Sequence, residues 1–145
     1  MVICADTSFL FSVYGNDVHS ERALKWLRKQ NQPLHISSLN EFELGNALRF
    51  SLFKGYYKQA DTDIFWQEYL SDRDAGRLKL LQINLAEVLK TASEISREFT
   101  MQYGHRSFDI LHVSAAKVMS ASHFLSFDQN QLSLAKRVNL TAPRL

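Results

Sequence analysis

Val2-Ile3-Cys4-Ala5-Asp6-Thr7-Ser8 is the stretch on which the fold turns: an apolar run that stops abruptly in an acid and two hydroxyls. A continuous apolar run bounded by a turn signal has no polar face to offer water, so it reads as a strand buried on both sides. Asp6 then falls at the carboxyl end of that strand, the edge where open α/β sheets form ligand crevices. An acid there can cap the helix that follows, as Asp and Ser readily do, or it can hold a metal ion. At this one residue both readings stand.

The rest of the chain bounds the class. At 145 residues it holds one domain, 1–145, with a sizeable core and has no room for two comfortable ones. Five Gly and two Pro leave little for a disordered linker, and a net charge of +2 permits a local nucleic-acid patch without demanding one. Cys4 is the only cysteine and lies inside the first apolar run, so it reads as a small core residue and excludes a disulfide framework. Asp6 interrupts the N-terminus too early for a signal peptide or a membrane span, and the expectation is a cytoplasmic protein.

Strand and helix signals alternate outward from that first stretch. Ser8–Tyr14 reads as a short helix stopped by Gly15, and Asp17–Gln30 as a second, with Ala23, Leu24 and Leu27 on its apolar stripe. Pro33–Ser37 is a second strand, with Pro at its first position where no ladder donor is lost. Ser38-Leu39-Asn40-Glu41 has capping-box spacing and opens a helix to about Lys54. Asp61–Ala75 follows, with Ile64, Phe65 and Tyr69 inward and Trp66 a further candidate. Arg77–Ile83 is a partly alternating strand that suits a sheet edge, and Asn84, with Glu87 three residues on, opens a helix to about Thr100. A helix over Ser107–Ala121, a strand over His123–Phe127, a short helix over Gln131–Arg137 and a last strand near Asn139–Ala142 complete the chain. Such alternation predicts a three-layer α/β/α fold around a mostly parallel sheet of about five strands. Parallel winding puts every strand's carboxyl end on one edge.

Four acids then fall near that edge. Asp6 and Asp128 each follow a strand, Glu43 lies in the second turn of the helix after the second strand, and Asp109 in the first turn of the helix from Ser107. Facing one pocket uncompensated, they would repel and raise one another's pKa. A hard divalent cation removes the conflict, and carboxylates with water are the ligands that Mg²⁺ or Mn²⁺ prefers. Each acid also has an ordinary reading: Asp109 complements a helix dipole, Asp128 starts a turn with Asn130, and Glu41 reaches back in the capping box. Glu41 and Glu43, two apart, point to opposite sides of a helix, so both cannot serve one ion.

Asp6-Thr7-Ser8, Glu43-Leu44, Arg106-Ser107-Phe108-Asp109-Ile110-Leu111-His112 and Ser126-Phe127-Asp128 resemble, in order and separation, the motifs of PIN-domain nucleases, closest to the compact VapC-type toxins of toxin–antitoxin pairs. The resemblance implies that Asp6, Glu43, Asp109 and Asp128 hold Mg²⁺ or Mn²⁺, with Ser8 steadying the Asp6 carboxylate. Ser126 stands where the family often has Thr and keeps the hydroxyl, and the pair Glu41/Glu43 also admits an alignment on Glu41. It further implies an endoribonuclease acting on single-stranded or structured RNA, tRNA or another folded RNA foremost, a homodimer, and an antitoxin that blocks the pocket.

Around these acids, Arg106 either meets a substrate phosphate or pairs with an acid, and His112 reads as a core hydrogen-bonding residue beside Leu111 and Val113. Arg49, Lys54 and Lys58 interleave with Phe50, Phe53, Tyr56 and Tyr57, a stretch suited either to stacked bases or to a dimer or antitoxin contact. Two rival readings use the same acids. One is a PIN-like module that binds RNA or protein without catalysis. The other is a receiver-like domain with Asp6 as phosphate acceptor, against which Asp6-Thr7 lacks a second adjacent acid and no lysine stands beside Asp128.

Overall fold

The first apolar run does become a buried central strand. In the computed structural model, which describes residues 1–145, β1 (Ile3–Ala5) lies between β2 (Leu34–Ile36) and β4 (His123–Leu125), and β3 (Leu78–Leu80) pairs outside β2, giving the order β3-β2-β1-β4. Every pairing is parallel, with Cys4 opposite both His35 and Phe124. The partly alternating segment is indeed the edge strand, which needs only one well-buried face.

Seven helices fill the connections: α1 (Thr7–Tyr14), α2 (Ser20–Arg28), α3 (Ser38–Phe53), α4 (Gln59–Asp74), α5 (Leu85–Tyr103), α6 (Ser107–Val118) and α7 (Gln129–Arg137). Because side chains alternate along a strand, β1 sends Ile3 and Ala5 to one face and Cys4 to the other. The first face packs with Leu34 and Ile36 against Phe9 and Leu10 of α1, Leu44 of α3 and Tyr69 of α4. The second packs Cys4 and Phe124 against Ile95 of α5, Val113 of α6 and Leu134 of α7. Each such side chain fully removed from water contributes about 1.5–3 kcal/mol. The result is the α/β/α sandwich that the alternation predicts. Cys4 is a core residue, its thiol pushed up to about 12 by burial, which keeps it a neutral, inert thiol.

Local departures have local causes. The expected last strand is reduced to a single parallel bridge between Thr141 and His123. Thr141 exchanges bonds with Ser122 O and Phe124 N, but Pro143 has no N–H with which to continue the ladder. The capping box of α3 is one residue earlier than expected. Ser37 is extended, and its N–H donates to Asn40 Oδ1 at 3.0 Å, so Asn40 takes the place assigned to Glu41. Helix α2 begins at Ser20 because Asp17 instead accepts from His19 N at 2.8 Å in the turn before it. Helix α5 runs past Thr100 until left-handed Gly104 closes it. Ile64, expected inward, is exposed, while Phe65, Trp66 and Tyr69 pack on the core. No helix is long and apolar enough to cross a membrane.

Candidate metal and phosphodiester site

The loops leaving β1 and β4 on the carboxyl edge deliver Asp6 and Asp128 side by side as helix caps. Asp6 caps α1 by accepting from Phe9 N at 2.7 Å, and Asp128 caps α7 by accepting from Gln131 N at 3.0 Å. The cap reading of Asp6 therefore holds, while Asp128, expected to start a turn with Asn130, caps a helix that begins two residues earlier than expected; neither cap competes with the metal reading, since a cap uses one carboxylate oxygen and aims the residue at the edge. A pocket of about 520 Å³ opens there, lined by Asp6, Glu43, Asp109 and Asp128 together with Ser8, Arg106 and others. Chain positions separated by more than a hundred residues share one wall.

Asp6 is the most buried of the four, 4% exposed. Its second oxygen, Oδ2, accepts from Ser8 Oγ and from Ser126 Oγ, both at 2.7 Å. Ser126 itself does not reach the pocket; it lies beneath, and its Oγ also accepts from Asp128 N at 3.0 Å, tying the two acid-bearing loops together. Burial pushes the Asp6 carboxyl above its ordinary range, and the bonds from Ser8, Ser126 and Phe9 pull only part of the way back.

Glu43 reaches the pocket from α3, while Glu41, two residues earlier, turns to α4 and binds Arg73 and the Tyr69 hydroxyl. The helix's phase thus separates the pair. Burial raises Glu43, but hydrogen bonds from His112 and Thr7, with the charges of His112 and Arg106, outweigh it and hold the carboxyl below the usual range. His112 is both core and site. It is buried, with Nε2 3.2 Å from Glu43 Oε1 and 3.1 Å from Thr7 Oγ1, while Nδ1 lies 3.4 Å from Asn40 Nδ2.

Arg106 pairs with Asp109 at 3.1 Å and is itself 80% exposed. Asp109 uses Oδ2 for this bond, and neither its Oδ1 nor Asp128 Oδ2 has a protein partner. Sequence reasoning missed Asn40, Thr7 and Gln131. Asn40 Nδ2 donates to Ala5 O at 3.2 Å, and buried Gln131 sits under Ser126 and donates to Asp109 O at 3.4 Å. Gln131 carried a usable signal, the Asp-x-x-Gln spacing of a capping box from Asp128. Asn40 and Thr7 stood within the stretches quoted above, but nothing in the sequence marked the bonds their side chains make.

The donor set is all hard oxygen, the kind that hard divalent cations prefer. No three His, Cys, Asp or Glu side chains are gathered tightly enough to grip one ion directly. Mg²⁺ dehydrates reluctantly and takes only one or two carboxylates beside its waters, so acids spread around a wet pocket still fit it.

The PIN-domain family model matches residues 3–137. The chain belongs to the PIN-domain family. That match, rather than one to a receiver domain, goes with the single acid after β1. No curated protein matches the sequence. Among solved structures, a chain of similar fold occurs in VapBC2 from Rickettsia felis bound to a DNA fragment from their promoter, at 20% identity, TM-score 0.69, covering 99% of this chain and 98% of that one. FitAcB from Neisseria gonorrhoeae is similar at 17% identity and TM-score 0.64, covering 99% and 97%. A toxin–antitoxin complex from Klebsiella pneumoniae is similar at 13% identity and TM-score 0.59, covering 90% of each chain. At these identities the likeness is one of fold.

Proposed function

We propose that this PIN domain is an endoribonuclease dependent on Mg²⁺ or Mn²⁺ and the toxin of a toxin–antitoxin pair. The observation that carries the reading is the meeting of Asp6, Glu43, Asp109 and Asp128 on one pocket of the carboxyl edge. Bound among them, the cation would acidify water and neutralise charge on the phosphate oxygens. The chain's own groups do the positioning. Ser8 and Ser126 fix Asp6, and His112 with Thr7 keeps Glu43 ionised and oriented. The unpartnered oxygens of Asp109 and Asp128 accept from the attacking water or hold the hydrated ion. Exposed Arg106, at the start of α6, can leave Asp109 for a substrate phosphate, which that helix N-terminus also favours. Water oxygen bonds to phosphorus in line, the bond to the 3′ oxygen breaks, and that oxygen takes a proton, leaving a 5′-phosphate and a 3′-hydroxyl.

An antitoxin partner is supported by the fold's occurrence in a toxin–antitoxin complex, and a homodimer by exposed Phe42, Phe50, Phe53 and Tyr56 on and just after α3. The basic residues among them leave RNA contact there open as well. A cytoplasmic setting follows from an RNA substrate.

The test is cleavage of total RNA by purified protein, with mapping of the ends. Activity is expected with Mn²⁺ or Mg²⁺ and not with EDTA, and it should fall on the order of a hundredfold in Asp128→Asn or Glu43→Gln, as when preorganised transition-state contacts are removed. Undiminished cleavage by Asp128→Asn would refute the site. The absence of a tight three-acid cluster favours one other reading, a module that binds RNA without cutting it. Calorimetry with Mn²⁺ separates the two, since binding that is lost in Asp109→Ala belongs to the enzyme.

A further inference from the structure

Beside the acidic pocket lies a second one, of about 640 Å³, which shares Thr7, Ser8, Glu43 and Asp128 with it. We infer that this second pocket is a subsite for one unpaired nucleobase, the base next to the phosphodiester held at the acids. The inference rests on the nuclease reading above and adds how its substrate is selected.

Three observations point to a base as the occupant. Continuity comes first: four shared residues mean that a strand with its phosphate at the acids must place a neighbouring nucleotide here or turn away from the surface. The second is aromatic. Phe11, Phe50, Phe127 and His19 line the pocket, and an ordered stack leads into its wall. Fully buried Phe9 stacks on Phe127 at 5.7 Å, and half-buried His19 lies on Phe127 at 4.3 Å with an interplanar angle of 8°. His19 is the partner of Phe127 nearer to solvent, and a flat π surface of this kind accepts any base face. The third is charge. No Lys or Arg lines the pocket, whereas Asp17, Glu43 and Asp128 do. Glu43 and Asp128 belong as well to the pocket that holds the phosphate, and Arg22 lies over Phe127 at 5.2 Å, so Asp17 is the acid particular to this pocket, an acceptor for the amino or imino hydrogens of a neutral base. Ser12 Oγ already donates to Asp17 Oδ2 at 2.8 Å and steadies it as an acceptor. The strand is thereby oriented, with its backbone on the Arg106 side of the acids and its base on the His19 side. A base inside a duplex would first have to be unstacked, so unpaired segments are preferred.

His19→Ala tests this with little risk to the fold, because the side chain makes no capping bond at the start of α2. His19→Tyr keeps the stack and serves as the rescue. The probe is a short fluorescein-labelled single-stranded RNA, and a set in which each nucleotide in turn is abasic. Cleavage is followed in Mn²⁺ and binding by anisotropy in EDTA. Stacking of one base predicts that His19→Ala weakens binding and kcat/KM about 5- to 150-fold, mainly through KM. An abasic residue at one position beside the cut should cost the parent a similar factor and cost His19→Ala nothing further, and His19→Tyr should recover most of the loss. Parent-like values in His19→Ala with a flat abasic profile overturn the subsite while leaving the nuclease reading intact. Binding in EDTA that shows the His19-dependent abasic position, with no cleavage by the parent, upholds the subsite and defeats the nuclease. Unchanged RNA binding with a shifted monomer–dimer equilibrium in sedimentation assigns the pocket to a second copy of the chain and overturns the inference.

Discussion

Two serines hold the same oxygen of Asp6 at the same distance, 2.7 Å, yet their removal should cost very different amounts. Ser126 is buried, 1% exposed, and its Oγ also satisfies Asp128 N, whereas Ser8 is open to solvent. Ser126→Ala removes a charge-assisted bond, worth about 1.5–3 kcal/mol, and leaves an amide short of its acceptor, a further cost of about 1–3 kcal/mol. In Ser8→Ala water replaces the lost donor, and the cost stays below about 1 kcal/mol. For 145 residues an unfolding entropy of about 2.1 cal/mol/K per residue makes each kcal/mol worth about 3 °C. Ser126→Ala should therefore lower Tm by roughly 8–20 °C and Ser8→Ala by less than about 3 °C, measured by thermal and urea unfolding at neutral pH. Acidity adds a second check. Burial already raises the Asp6 carboxyl, and losing Ser126 raises it further. A group with a raised folded pKa contributes stability at low pH that is lost as pH rises through that pKa. The Ser126→Ala deficit should therefore shrink on acidification without vanishing, since the amide's share does not titrate. Equal losses in the two variants, or a Ser126→Ala deficit that grows as pH falls, would refute the reasoning.

Asp6→Asn should abolish cleavage in Mn²⁺ while keeping or raising Tm at pH 7. Its stability advantage should fade as pH falls through the raised pKa of the parent's Asp6 toward the ordinary 3.8, as read by urea unfolding across that range. Glu41→Gln and Glu43→Gln should behave oppositely. The first loosens the contact to Arg73 and Tyr69, costing about 1 kcal/mol with parent-like cleavage; the second keeps Tm and loses activity, and reversed phenotypes would put Glu41 at the site. Arg106→Ala removes an exposed pair worth less than about 1 kcal/mol, so Tm should barely move while KM for RNA rises. An unchanged KM would leave Arg106 with Asp109 alone.

How much of this was legible beforehand follows the range of the forces involved. The buried first strand, the helix–strand alternation and hence the parallel winding come from contacts between near neighbours, and a periodic run such as Val2–Ala5 states them outright. Because parallel strands share a carboxyl edge, the arrival of Asp6 and Asp128 on one rim was implied as well. Partner choice was not. Glu43 was the expected member of its pair, but that Glu41 turns to Arg73 and Tyr69 of α4, leaving the capping box to Asn40, is decided by packing. Likewise the bonds from Ser126 to Asp6 and from His112 to Glu43 join residues 120 and 69 positions apart. Such bonds exist only after the two hydrophobic faces of the sheet have closed, since burial is what makes an unpaired carboxylate costly enough to demand them.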